Sequence, residues 1–191
     1  MGQRKRVILV TDGDKVARKA VEKAAANIKA HCISASAGNP TPISGPELLQ
    51  LIREARGEPV VIMVDDRGKE GQGKGEQLAR FLAKCREVEI IGAVAVASND
   101  KGADGVRVDC SITADGKVIS GPVDKEGQPE PEGHLYLEGD TVDMLRSLGV
   151  PVIVGIGDIG KQQGADSWAK GAPLTTKALR YIIEQGGNQH G

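Results

Sequence analysis

A run of apolar residues without a charge, Val60 to Val64, most constrains what this chain can fold into. Such a run is typical of a strand buried on both faces, as in a parallel sheet covered by helices. Two carboxylates, Asp65 and Asp66, follow it, then a turn rich in glycine and charge, and then apolar residues at helical spacing. Ligands of open parallel sheets bind at the carboxyl ends of strands. We therefore expect any polar site of this protein at this turn.

Strand and helix patterns alternate through the first half of the chain. Apolar runs predict strands at 6–10, 31–36, 60–64 and 88–97. Residues at helical spacing predict helices at 15–29, 46–57 and 76–85 between them. This alternation predicts an α/β fold with a mostly parallel sheet and helices on both faces.

The second half of the chain changes character. Apolar and polar residues alternate from Val106 to Ile112, and Asp115-Gly116 carries a hairpin signal. We expect a β-hairpin and an acidic loop inserted at about residues 105–133. A helix at 140–149, a strand at 151–155 and a helix at 174–185 then complete a single α/β domain over residues 1–191, with a disordered tail at 186–191.

Composition argues against several classes of function. The net charge of −1 gives no basic excess for nucleic acid or an anionic membrane, and aromatic residues are only 2% of the chain. No apolar run is long enough for a transmembrane helix or a secretory signal. Cys32, Cys85 and Cys110 are far apart among apolar residues. They are predicted to be core residues in a reducing compartment.

Four carboxylates form the candidate metal site. Asp12 and Asp14 follow the first predicted strand, and Asp65 and Asp66 follow the third. The carboxyl ends of parallel strands lie at one edge of a sheet, so these groups are expected to converge on a hard divalent ion such as Mg²⁺. The alternative is that they are turn residues and helix N-caps, where aspartate accepts backbone N–H bonds.

Two glycine patterns match nucleotide-binding motifs incompletely. Residues 68–75 fit GxxxxGK, but Gly75 stands where a P-loop needs Ser or Thr to hold magnesium. Residues 155–160 fit GxGxxG, but too little chain follows for a second half of a dinucleotide fold. A small-ligand site near residues 155–164 is kept as an alternative. The histidines pair with no visible nucleophile, and GxSxG is absent, which argues against a hydrolase triad.

Two segments resemble the Toprim fold of primases and type IA topoisomerases: VILVTDGDKVARKAVEKAA at 7–25 and VIMVDDRGKEGQ at 61–72. That family carries a Glu after the first strand and an Asp-x-Asp, often with Arg-Glu-Gly, after the third. Here Thr11-Asp12 stands in the first position, and Asp65-Asp66-Arg67 with Glu70-Gly71 matches the second with altered spacing. The resemblance implies a Toprim-like fold. It also gives an alternative function, magnesium-dependent phosphoryl transfer or phosphatase chemistry by the strand-end carboxylates.

Longer segments resemble the stage V sporulation protein AE-a family, products of the spoVA operon of spore-forming Bacilli. They are VILVTDGDKVARKAVE at 7–22, SASAGNPTPISGPELL at 34–49, residues 61–68, and VGIGDIGKQQGADSWAKGAPLTTKAL at 154–179. This resemblance implies a non-enzymatic accessory protein of spore germination and dipicolinic-acid uptake and release, without a cofactor, that acts with the SpoVA channel. It implies peripheral attachment to the inner membrane of the forespore or spore through other SpoVA-operon proteins. A homodimer is a further expectation, and whether the protein is an enzyme stays open.

Overall fold

The computed structural model describes residues 2–67, 73–99 and 104–187 and contains one seven-stranded sheet. Its strands are β1 (Lys5–Val10), β2 (His31–Cys32), β3 (Val60–Met63), β4 (Val88–Val96), β5 (Cys110–Ile112), β6 (Val118–Ile119) and β7 (Ile153–Ile156). They lie in the order β2-β3-β1-β4-β7-β5-β6. Every pairing is parallel except that of β5 with β6. The prediction of a mostly parallel α/β sheet is confirmed.

Helices cover both faces of this sheet. They are α1 (Lys15–Asn27), α2 (Gly45–Glu54), α3 (Lys74–Lys84), α4 (Met144–Leu148) and α5 (Pro173–Gly187). Successive residues of a strand point to opposite faces of the sheet. Val7 and Leu9 of β1 therefore pack on the face covered by α2, α3 and α4. Ile8 and Val10 pack on the face covered by α1 and α5. All four side chains are fully buried. The helices on both faces were predicted, and they account for the charge-free strands.

Capping side chains just before the first turn fix where two of the helices begin. The Asp14 carboxylate caps α1 by accepting from the backbone N–H groups of Val16 and Ala17, each at 2.8 Å. Ser44 and Glu47 form a reciprocal capping box at the start of α2, whose first turn also contains a proline. These bonds give hydrogen-bond partners to amide groups of the first turn that would otherwise lack them, so each helix starts directly after its capping residue.

The second predicted strand needs correction. The strand at 31–36 ends at Cys32, and a 3₁₀ turn, Ser34–Ser36, follows it. This turn forms because the buried Ser36 hydroxyl donates to Ile33 O at 2.6 Å and accepts from Met63 N at 2.9 Å. The predicted hairpin is confirmed as β5 and β6, and β5 also pairs in parallel with β7, so the hairpin extends the main sheet.

Two helix boundaries also differ from the prediction. The helix expected from residue 140 begins only at Met144, although it ends as expected at Gly149, which adopts a left-handed conformation (φ 62°). The tail predicted to be disordered from residue 186 begins inside α5, which continues through Gly187. The rest of that tail, residues 188–191, lies outside the described residues. Among the described residues, no helix combines the length and apolarity needed to cross a membrane.

We predict that Gly92→Ala destabilises the fold, because Gly92 lies where β4 meets α5. A methyl group there would overlap Ile182 Cγ2 and lie 2.9 Å from Val152 O. Overpacking of this kind costs roughly 1–3 kcal/mol. Urea unfolding measures the loss. The control is Gly121→Ala, where an added Cβ meets nothing within 4 Å, and equal stability of the two variants would contradict the prediction.

Candidate functional site

The direction of the chain connections reverses between the neighbouring strands β1 and β4. After β1 the chain turns to β2 and β3 on one side of the sheet, and after β4 it turns to β5, β6 and β7 on the other. Ligands of open α/β sheets bind at such a point, where the connections diverge. The loop Thr11–Asp14 leaves β1 here, and Asp65 and Asp66 follow the neighbouring β3. The structure therefore brings the four candidate carboxylates to one edge.

Two of these four carboxylates hold helix N-termini. Asp14 caps α1, as described. The Asp66 Oδ1 atom accepts from the backbone N–H of Gly75 at 2.6 Å and of Glu76 at 3.2 Å, at the start of α3. The helix-cap alternative therefore describes Asp14 and Asp66. The Oδ1 atom of each accepts two backbone N–H bonds.

Asp12 and Asp65 are the other two, and they interact across β1 and β3. The Asp65 carboxylate accepts from Gly13 N at 3.2 Å and from Arg67 N at 2.9 Å. Burial raises the pKa of Asp65 to about 6, against the lowering effect of these bonds. Burial also raises the pKa of Asp12 to about 7, and the charges of Asp14 and Asp65 add to the shift. Each of these two carboxylates therefore binds a proton more tightly than an exposed aspartate does.

Two more aspartates contribute to this edge, and the sequence interpretation missed both as site residues. Asp158 follows β7, and its charge adds to the raised pKa of Asp12. Asp140 adds to the raised pKa of Asp65, and its backbone N–H donates to Ser98 Oγ at 2.8 Å beyond the end of β4. Asp158 carried the same signal as the others, a carboxylate directly after an apolar strand. Asp140 carried none, because a long loop brings it to the edge.

The predicted metal site is not formed as a ligand cluster in the described part of the chain. Within residues 2–67, 73–99 and 104–187, no three His, Cys, Asp or Glu side chains are grouped so that they could hold a metal ion. A magnesium ion at Asp12, Asp14, Asp65 and Asp66 stays a prediction. Asp12 and Asp65 are the two of these four that cap no helix, and their carboxylates accept backbone N–H bonds within the loops at this edge.

Packing explains the glycines around these carboxylates. A Cβ at Gly75 would lie 2.7 Å from Asp65 N, and one at Gly73 would overlap the Asp66 carboxylate. A Cβ at Gly13 would lie 2.6 Å from Gly38 O. Only glycine permits these approaches. The remainder of the GxxxxGK pattern, residues 68–72, lies outside the described residues.

Packing also explains two glycines of the GxGxxG pattern. A Cβ at Gly155 would lie 2.6 Å from Leu137 Cδ1, and one at Gly157 would lie 2.5 Å from Gly127 N. These glycines let the loop after the hairpin lie directly on β7. The small-ligand site near residues 155–164 stays a prediction.

Fold and site together define an α/β protein whose mostly parallel sheet, covered on both faces, carries a group of aspartates at its carboxyl edge. Residues 6–186, from β1 to α5, match the family model of stage V sporulation protein AE1. The chain therefore belongs to the SpoVAE family, and its role is related to sporulation. No curated protein and no solved structure matches it. The Toprim-like fold stays a prediction.

We predict that Asp12→Asn flattens the pH dependence of stability. The native state keeps a proton on Asp12 up to about pH 7, whereas an unfolded aspartate releases it near its ordinary pKa of 3.8. The native state therefore binds more protons between these values, and the free energy of unfolding falls as pH rises through them. Urea unfolding at about pH 5 and about pH 8 should show this fall in the unsubstituted protein and a smaller one in Asp12→Asn.

The control for that experiment is Asp115→Asn on the exposed hairpin. Hydrogen bonds from Lys117 and Thr113 lower the pKa of Asp115 to about 2, so this group is ionised at both pH values. Replacement of Asp115 should therefore change the free energy of unfolding by the same amount at both pH values. If the free energy of unfolding falls between these two pH values as much in Asp12→Asn as in the control, the raised pKa of Asp12 is contradicted.

A titration tests the metal prediction. Calorimetry with Mg²⁺ or Mn²⁺ should show binding that the double variant Asp12→Asn, Asp65→Asn loses, because these carboxylates are free of helix capping. Asp115→Asn should bind as the unsubstituted protein does. Absence of binding by the unsubstituted protein would contradict the prediction.

Proposed function

We propose that this protein is a non-enzymatic accessory component of spore germination and of dipicolinic-acid uptake and release. In this proposal it acts with the SpoVA channel at the spore inner membrane. Its partners are other products of the same operon, and it is held at the membrane peripherally through them. The observation that carries the proposal is the family match, which runs from the first strand to the last helix.

The hydrogen bonds of the aspartates at the carboxyl edge support a structural role for these carboxylates over a catalytic one. Asp14 and Asp66 accept hydrogen bonds from the first turns of α1 and α3, which stabilises these two helices. Asp12 and Asp65 have raised pKa values of about 7 and about 6. A partly protonated pair attracts a metal cation less strongly than two full charges. Magnesium-dependent phosphoryl transfer is the alternative, and the titration above tests it.

The surface offers apolar side chains for protein contacts. Leu135 in the loop after the hairpin is 52% exposed, and Val118 on the edge strand β6 is 48% exposed. An edge strand presents unpaired backbone groups that a second chain can use. This edge supports both a partner protein and a homodimer.

Deletion of the gene tests the proposal. Spores without the protein should germinate and release dipicolinic acid more slowly than intact spores, and expression of the full chain should restore both rates. The double variant Asp12→Asn, Asp65→Asn should restore them equally well, because the proposal needs no chemistry from these groups. Unchanged rates after deletion would contradict the accessory role. A folded double variant that fails to restore them would favour the enzymatic alternative.

A further inference from the structure

The layer formed by α1 and α5 exposes many cationic side chains. On α1, Lys15, Lys19 and Lys23 are exposed and follow one another at intervals of four residues, so they form one stripe along the helix. Among the described residues, none of these three lysines forms an ion pair. Arg18 is also exposed, and it pairs with Glu22 at 2.8 Å.

The neighbouring elements carry the same sign of charge. Lys170 lies in the 3₁₀ turn Trp168–Lys170, and Lys177 and Arg180 lie on α5, all of them exposed. We call the outer surface of α1, this turn and α5 the cationic face. Its seven cationic side chains stand against two acidic ones, Glu22 and Glu184, and against the Asp14 carboxylate at the N-cap of α1. A chain with a net charge of −1 therefore presents a face with an excess of four positive charges.

Two large apolar side chains are exposed on the cationic face, near the two ends of α1. Val16, in the first turn of α1, is 52% exposed, and Trp168 is 59% exposed. The turn that carries Trp168 is joined to the last residue of α1, because Asn27 Nδ2 donates to Gly171 O at 2.9 Å. A helix of 13 residues is about 20 Å long. The lysine stripe thus runs between two exposed apolar side chains.

The exposed indole is held by a well-anchored turn. The fully buried Asp166 accepts from the backbone N–H of Leu174 at 2.8 Å and of Thr175 at 3.0 Å. The Ala172 N–H donates to Ser167 O at 3.0 Å and closes the turn. Trp168 therefore projects from hydrogen-bonded backbone, and its exposure follows from how the turn is built.

We propose that the cationic face binds directly to the surface of an anionic lipid bilayer. Lysine side chains near such a surface are attracted to the lipid phosphates. Tryptophan prefers the boundary between headgroups and acyl chains, and a valine beside a lysine stripe adds apolar area there. The phosphates of a nucleic-acid duplex would attract the lysine side chains equally well, but a duplex has no apolar layer in which the Val16 side chain could be buried. The combination of charge with two flanking apolar groups favours the bilayer.

This inference goes beyond the accessory role, which needs only protein partners at the membrane. Lipid binding is measured on the purified chain and does not depend on germination. Its failure leaves the accessory role intact, and a deletion without effect on germination leaves lipid binding intact. The two proposals therefore fail separately.

Trp168 is the only tryptophan of the chain, so its fluorescence reports on this surface directly. The full chain is titrated with vesicles of phosphatidylglycerol and phosphatidylcholine in equal parts, and with vesicles of phosphatidylcholine alone. We expect co-sedimentation and a blue shift of emission with the anionic vesicles, both weakened by salt. Each lysine near the surface contributes about fivefold, so Lys15→Gln, Lys19→Gln, Lys23→Gln should weaken binding about a hundredfold.

The matched control removes three exposed cations from the other face: Lys74→Gln, Lys84→Gln, Arg86→Gln. It should bind vesicles as the unsubstituted protein does, and Trp168→Ala should bind more weakly while keeping its salt dependence. Equal losses in the two triple variants would overturn the proposal, as would the absence of a blue shift. Displacement from vesicles by a duplex oligonucleotide or by inorganic phosphate at matched ionic strength would also overturn it, because the face would then be a general phosphate binder.

Discussion

Burial of the central strands on both faces is the constraint on which the rest of this structure depends. Strands β1 and β3 bury every residue from Val7 to Val10 and from Val60 to Met63, and each face of the sheet is covered by its own helices. Because no side chain in these two stretches meets water, the polar groups of β1 and β3 lie before or after them. The concentration of aspartates at the carboxyl edge follows from this burial, as does the use of two of them as helix caps.

The sequence was informative wherever the signal is local. The charge-free run before Asp65 predicted a buried parallel strand, and apolar residues at helical spacing predicted α1, α2 and α3. It failed where distant residues decide the outcome. Ser36 forms a turn because its hydroxyl bonds to Met63, and β5 joins the main sheet because β7 lies beside it. Asp140 reaches the carboxyl edge only through the loop that precedes α4, and no spacing rule reveals that.

Net charge was similarly uninformative about surfaces. A total of −1 argued against anionic partners, because a sum over the chain assumes that positive and negative groups mix evenly. The fold separates them: the aspartates gather in loops at the carboxyl edge, and lysines occupy the outer positions of α1. Helical spacing from Lys15 to Lys23 contained this information. Recognising the cationic face from this spacing requires knowing which positions of α1 face the sheet. It also requires knowing that α5 lies beside α1.

The position of β7 between β4 and β5 has a consequence for the order in which the protein folds during synthesis. The hairpin of β5 and β6 leaves the ribosome before β7 but has no place in the sheet until β7 arrives. Its attachment includes a bond from Ile153 N to Asp109, a partner made 44 residues earlier. Contacts between residues this far apart in sequence form slowly. A strand edge that stays unpaired until they form favours aggregation. The nascent chain therefore keeps one β4 edge open until β7 has been synthesised, which makes this the stage at which a chaperone would matter most.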